Sequence, residues 1–168
     1  MGDNMPNIIE YNRRKAVAYS DKWALSRNPA YYDFSELGGD CTNFVSQCLY
    51  AGSGVMNYSR DLGWYYINAN DRAPAWTSAR YLNRFLLTNK KKAVFASEAE
   101  LSEIMPGDVI QLVSGGRIYH SLFVADIGSM PSEESIFVNA HTFNAYHRPL
   151  SSYSFDSAVC LHIEGVYN

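Results

Sequence analysis

The stretch Gly38-Gly39-Asp40-Cys41-Thr42-Asn43-Phe44-Val45-Ser46-Gln47-Cys48-Leu49-Tyr50 starts with two glycines and an aspartate, then runs free of breakers to Ala51-Gly52-Ser53-Gly54. Aspartate is a favoured N-cap, and Phe44, Val45, Cys48 and Leu49 recur at the spacing of one helix face. A helix is therefore expected over residues 41–50, with the glycines ending it. Cys41 then sits in the first turn, where unpaired backbone N–H groups and the positive end of the helix dipole favour a thiolate. The Gly38-Gly39 pair suits positive φ or a close backbone approach, which turns the helix start toward open space. Free N–H groups there also suit a developing oxyanion. The competing reading of Cys41 is a small buried residue that packs the helix start. Cys48, two turns further along, and Cys160, in an apolar strand pattern, read as core.

Upstream, residues 9–25 contain no Gly or Pro and repeat Ala16, Tyr19 and Trp23 at helical spacing, which gives an amphipathic helix ended by Asn28-Pro29. Residues 30–39, with Tyr31, Tyr32 and Phe34, read as a loop. Downstream, residues 54–74 are polar and aromatic, carry Trp64, Tyr65 and Tyr66, and are too long for an ordinary connection, so they are expected to wall a cleft. Leu82, Phe85 and Leu86 predict a helix over residues 77–88, and Lys90-Lys91-Lys92 reads as its solvated exit rather than a phosphate site. Short β-branched and aromatic runs at 109–113, 119–125, 135–140 and 158–165 predict antiparallel strands. Helices first and sheet second define an α+β fold. No repeat or low-complexity linker interrupts it, so residues 1–168 are read as one domain.

That length suits a single hydrophobic core, and 47% apolar with 18% charged residues lies far from a disordered composition. A net charge of −3 gives no broad positive field, which argues against nucleic-acid binding. No apolar run approaches a membrane span and residues 1–7 are polar, so neither a signal peptide nor an integral membrane segment is expected in the chain as given. Three cysteines leave at least one free thiol, and the 13 tyrosines suit a surface that grips a peptide or glycan.

A cysteine nucleophile needs a base, and the chain has four histidines. His120 opens the apolar run Ser121-Leu122-Phe123-Val124-Ala125 after the Gly115-Gly116 turn, where a polar ring reaches a cleft edge; the alternative is a histidine that caps a strand end. A base needs an orienting partner. Asn139 and His141 lie two residues apart on the next strand and share one face, while Ala140 points the other way. Either reaches His120 across a hairpin, His141 being the favoured one and Asn139 the alternative. His147 reads as a loop residue and His162 as structural. No CxxC, HExxH or carboxylate–histidine set points to a metal, and no glycine spacing fits a P-loop or dinucleotide site, so no cofactor is expected.

The words Gly39-Asp40-Cys41-Thr42-Asn43-Phe44-Val45-Ser46-Gln47, Met105-Pro106-Gly107-Asp108-Val109-Ile110-Gln111, His120-Ser121 and His141-Thr142 resemble the bacterial family named "putative amidase domain". So do Asn28-Pro29-Ala30-Tyr31-Tyr32, Trp64-Tyr65-Tyr66 and Ala75-Trp76-Thr77. The order helix-start Cys, strand His, then a polar residue on the next strand is similar to the papain-like superfamily, above all the NlpC-type and CHAP peptidoglycan peptidases. The resemblance implies an α+β papain-like domain, with N-terminal helices packed on an antiparallel sheet. It implies hydrolysis of an amide bond in a peptide or peptidoglycan-type substrate, by a secreted or cell-wall associated protein. Cys41 is then the nucleophile, His120 the base and later the acid, and His141 the orienter, a place the papain pattern would give to Asn139. NlpC-type enzymes carry a tyrosine upstream of the nucleophile near the oxyanion, and Tyr31 and Tyr32 occupy that neighbourhood, with Asp40 and Trp64 completing the expected substrate-binding and oxyanion set. Papain's upstream glutamine has no counterpart before Cys41. Two other functions fit the same residues: a non-catalytic wall- or glycan-binding module using the aromatic cleft, and a thiol acyltransferase of transglutaminase type.

Overall fold

A computed structural model of the chain describes residues 5–168; the first four residues of the polar start at 1–7 lie outside the described residues. In chain order the elements are β1 (Ile8–Ile9), α1 (Arg13–Trp23), α2 (Cys41–Ser53), β2 (Tyr66–Asn68), β3 (Asp71–Arg72), α3 (Pro74–Thr77), α4 (Ala79–Thr88), β4 (Ala93–Ala99), β5 (Val109–Ser114), β6 (Arg117–Ile127), β7 (Ile136–Ala140), β8 (Ala145–Pro149) and β9 (Ser157–Tyr167). The architecture is α+β. Seven antiparallel strands form one sheet in the order β1-β9-β5-β6-β7-β8, with β4 also on β9, while β2 and β3 make a separate hairpin.

Both faces of this sheet are buried, which is why its strands read as near-continuous apolar runs rather than clean alternation. Val109 of β5, Phe123 of β6 and Leu161 of β9 face the helices and join Phe44, Val45, Leu49, Leu82 and Phe85 in one core. Their neighbours Ile110, Leu112, Leu122, Val124 and Val138 face the other way into a second core closed by Ile104 and Leu150. Because cross-strand partners share a face, the register assigns every intervening side chain. Gln111 opposite Ser121 lies on the helix face, and Leu112 opposite His120 lies on the second-core face.

Several boundaries differ from the sequence expectation. Helix α1 starts only at Arg13, because the Asn12 side chain caps it by accepting from Lys15 N at 3.0 Å. Helix α2 runs through Gly52 to Ser53, and its left-handed cap is Gly54 at φ 67°. Gly52 is a packing residue instead of a breaker: a Cβ there would lie 2.5 Å from Tyr11 Cε2 and 2.8 Å from Asn12 O. The helix expected over 77–88 is α4, which starts two residues later at Ala79, because extended Ser78 parts it from the short α3. Strands β1, β2, β3, β4 and β8 were not anticipated; β8 is short and contains His147 at φ 46°.

Helix α1 is pinned to the sheet by Arg13, whose guanidinium donates to Pro106 O, Asp108 Oδ1 and Ile163 O. Buried Asp108 also accepts from the Met105 and Ile163 amides and sits 2.9 Å from His162 Nδ1. His162 is thus structural. Cys48 and Cys160 are buried core residues. No helix among the described residues is long and apolar enough to cross a membrane.

Candidate active site

Gly38 and Gly39 adopt φ 87° and 101°, the positive values a turn into the helix start requires. Cys41 follows as the first residue of α2 and is the least buried of the three cysteines. Its sulfur lies 3.7 Å from Thr42 Oγ1 and against the backbone N–H of Ser121 on β6. Burial pushes the thiol up from its ordinary value and outweighs these donors, and the nearby Asp40 carboxylate adds to the rise.

Asp40 occupies the N-cap position, yet its side chain caps nothing. Its fully buried carboxylate instead accepts from Phe34 N and Asn43 Nδ2, lies 2.7 Å from His141 Nδ1, and pairs with Arg27 Nε at 3.4 Å. The other nitrogen of His141 is 2.7 Å from the Trp23 carbonyl, and the ring stacks on Phe44 at 3.9 Å. Asp40 and His141 thus tie the α2 start to α1 and β7. Thr142 Oγ1 completes the tie by accepting from Asp40 N at 2.6 Å.

Asn139 shares the helix face with His141, as alternation requires, because it opposes Phe123. Its amide donates to Ser20 Oγ and Asp21 Oδ1, and its carbonyl accepts from His147 N. Both residues expected to orient His120 are therefore committed to α1 and its surroundings. Trp64 is a second departure: it is fully buried core rather than a cleft wall, because its indole N–H finds Ser46 Oγ at 3.0 Å. Trp76 does the same with Asn43 Oδ1. Tyr31 stacks on Trp76 and leans on Tyr66, and burial raises its phenol to about 12. Tyr32 is half exposed near the site, and its carbonyl accepts from Asn43 Nδ2.

His120 stands on the other side of the sheet from Cys41. Tyr119 is an extra residue on β6, for Leu112 pairs with His120 and Val113 with Ile118. Regular alternation from Phe123 already puts His120 on the second-core face, where its ring stacks with that of Tyr119 at 6.2 Å and lies 5.9 Å from that of Tyr153. Burial there, aided by Arg148, lowers the imidazole to about 4. Among the described residues no hydrogen bond joins His120 to Cys41, His141 or Asn139.

What does gather near the thiol, on the helix face, is a polar set the sequence reading passed over. Thr42 Oγ1 is 3.0 Å from Ser121 Oγ, and Gln111 Nε2 donates to Ser121 Oγ and to Ala79 O. Its signal was legible: a glutamine at the centre of the apolar run Val109-Ile110-Gln111-Leu112-Val113 needs a buried partner.

Fold and site together define an α+β domain with a thiol at a helix start, held against the face of an antiparallel sheet. The chain belongs to the family described as "Putative amidase domain", which matches residues 10–163. That description suggests amide hydrolysis. The chain is also similar to "Uncharacterized protein YhbB" of Bacillus subtilis (strain 168), with 38% identity over 148 residues, covering 83% of this chain and 44% of the relative. The chain thus corresponds to less than half of that relative's length. No solved structure matches the chain.

Proposed function

We propose that this domain is a cysteine-dependent amide hydrolase of papain-like type, with Cys41 as nucleophile, acting on bacterial cell-wall peptides at a secreted or wall-associated location. The observation that carries the reading is the seat of Cys41: first turn of α2, sulfur against the Ser121 N–H and beside the Thr42 hydroxyl. The substrate class and location rest on resemblance to NlpC-type and CHAP peptidases. Attack by the thiolate on a peptide carbonyl forms a thioester and releases the amine. Water then hydrolyses the thioester to the acid. The Cys41 backbone N–H and a tyrosine of the Tyr31-Tyr32 pair are the proposed oxyanion donors.

His120 is the proposed base, taking the thiol proton and giving it to the leaving amine. Its path to Cys41 is a one-step migration of the bulge. Tyr119 and His120 now both oppose Leu112. If His120 and Ser121 oppose Gln111 instead, His120 alone changes face and arrives beside Ser121 and the thiol, while every other residue of β6 keeps its side. At rest the pair stays neutral, since burial raises the thiol and lowers the imidazole.

The test is digestion of bacterial wall peptides in heavy-oxygen water, read by product mass. Hydrolysis puts heavy oxygen into the new carboxylate, with a loss of at least about a thousandfold in Cys41→Ala and His120→Ala. Transfer to an amine without heavy oxygen would reassign the domain as an acyltransferase. Binding of wall peptides without any cleavage would favour the non-catalytic module, the reading that the separated thiol and imidazole also fit.

A further inference from the structure

The hydroxyls beside Cys41 can be given directions by counting donors. Gln111 Nε2 lies 2.8 Å from the Ala79 carbonyl, so this end of the amide is the N–H end; reversing it would set two oxygens against each other. The same Nε2 donates to Ser121 Oγ at 3.2 Å. Ser121 therefore accepts from Gln111, and the remaining partner for its own proton is Thr42 Oγ1 at 3.0 Å. Thr42, accepting from Ser121, then turns its proton to Cys41 Sγ at 3.7 Å. The opposite sense would leave the Ser121 proton buried without an acceptor, which costs more than a weak bond to sulfur gains. Gln111 Oε1 is itself buried without a partner among the described residues. The Ala79 contact holds the amide in this orientation despite that loss.

We infer that Gln111, Ser121 and Thr42 form a one-way hydrogen-bond relay whose last donor points at the sulfur of Cys41, making them positioning residues for the thiolate. The inference rests on the reading of Cys41 as nucleophile. The relay adds the Thr42 hydroxyl to the backbone N–H groups of Ser121 and Thr42, so a thiolate at this seat has a side-chain donor beside its backbone donors. Charge-assisted bonds to an anion are the stronger kind, so the relay tightens when the proton leaves. Asp40 is the charged group beside the thiol and opposes ionisation, while His141 and Arg27 are engaged with the Asp40 carboxylate. The polarity of the chain is set at its far end, on β5, where a change touches neither sulfur nor substrate.

The experiment is the pH dependence of Cys41 modification by methyl methanethiosulfonate, followed by intact mass with Cys41→Ala as the blank. Thr42→Val keeps the shape and removes the last donor. Its midpoint should rise by about one pH unit, a tenfold loss of rate at neutral pH, while Thr42→Ser keeps the parent midpoint. Gln111→Met removes the donor that sets the sense of the chain without adding a charge, and should raise the midpoint in the same direction by a smaller amount. Unchanged midpoints in Thr42→Val and Gln111→Met would overturn the relay. Because the readout is ionisation of the thiol, failure of the relay stays distinct from failure of the hydrolase reading, which shows in the wall-peptide digestion as no cleavage, as transfer without heavy oxygen, or as cleavage that survives Cys41→Ala.

Discussion

Two histidines at the same end of the sheet have opposite surroundings. His141 is buried on the helix face with both nitrogens engaged, by Asp40 and by Trp23 O, and its ring is stacked on Phe44. His120 is partly buried on the other face beside Tyr119 and Tyr153, with burial and Arg148 opposing its charge. A buried polar group with all partners in place fixes a structure, whereas a ring without hydrogen-bond partners gives up none when it moves. On that ground His141 belongs to the scaffold, and His120 is the ring that the proposed bulge migration carries across the sheet.

The largest effect expected on the His141 side comes from Asp40→Ala, which strands His141 and Arg27 and frees the Phe34 amide. Urea unfolding should show a loss of about 3–5 kcal/mol. A loss under about 1 kcal/mol would mean that the α2 start is held by packing alone. Gly52→Ala presses a methyl onto Tyr11 and Asn12 where α1 crosses α2, and should cost about 1–3 kcal/mol in the same assay. Asn139→Ala removes bonds to Ser20, Asp21 and His147 N, with an expected cost of about 1–2 kcal/mol.

The His120 side should show itself in pH dependence. Its folded value of about 4 lies below the ordinary one near 6.5, so the unfolded chain binds the proton more readily. The neutral ring's contribution is complete above pH 6.5 and is lost as pH falls from about 6.5 to about 4. His120→Leu has no proton to take up. Its urea midpoint should fall less than that of the parent between neutral pH and pH 4.5, and parallel curves for the two proteins would place His120 in an ordinary, solvated setting.

Much of this was legible in the residues. Cys41 at the head of a helix, positive φ at Gly38-Gly39, and Asn139 and His141 on one face follow from the glycine pair, the apolar period that starts after it and strand alternation. The face of His120 was legible too and was missed: counting from Phe123 by twos puts Ser121, not His120, toward the helices. Only the bulge at Tyr119, where the register with β5 shifts after Leu112, has no sequence signature of its own. Asp40 was read as a cap because its type and place suit one, and nothing local announces that its carboxylate is drawn to His141, a hundred residues away in the chain. Trp64 looked like a cleft residue because aromatic loops often are, yet the Ser46 hydroxyl that buries it lies on another element.

At rest the sheet parts Cys41 from His120, and in the proposed mechanism the two meet only when the bulge moves. The most direct measurement is an NMR titration of the His120 ring in the parent and in Cys41→Ser. The expected midpoint is about 4 and the same in both proteins, since no contact links ring and sulfur at rest. A midpoint near the ordinary histidine value that shifts when the sulfur is removed would contradict it, showing the thiol and imidazole already paired.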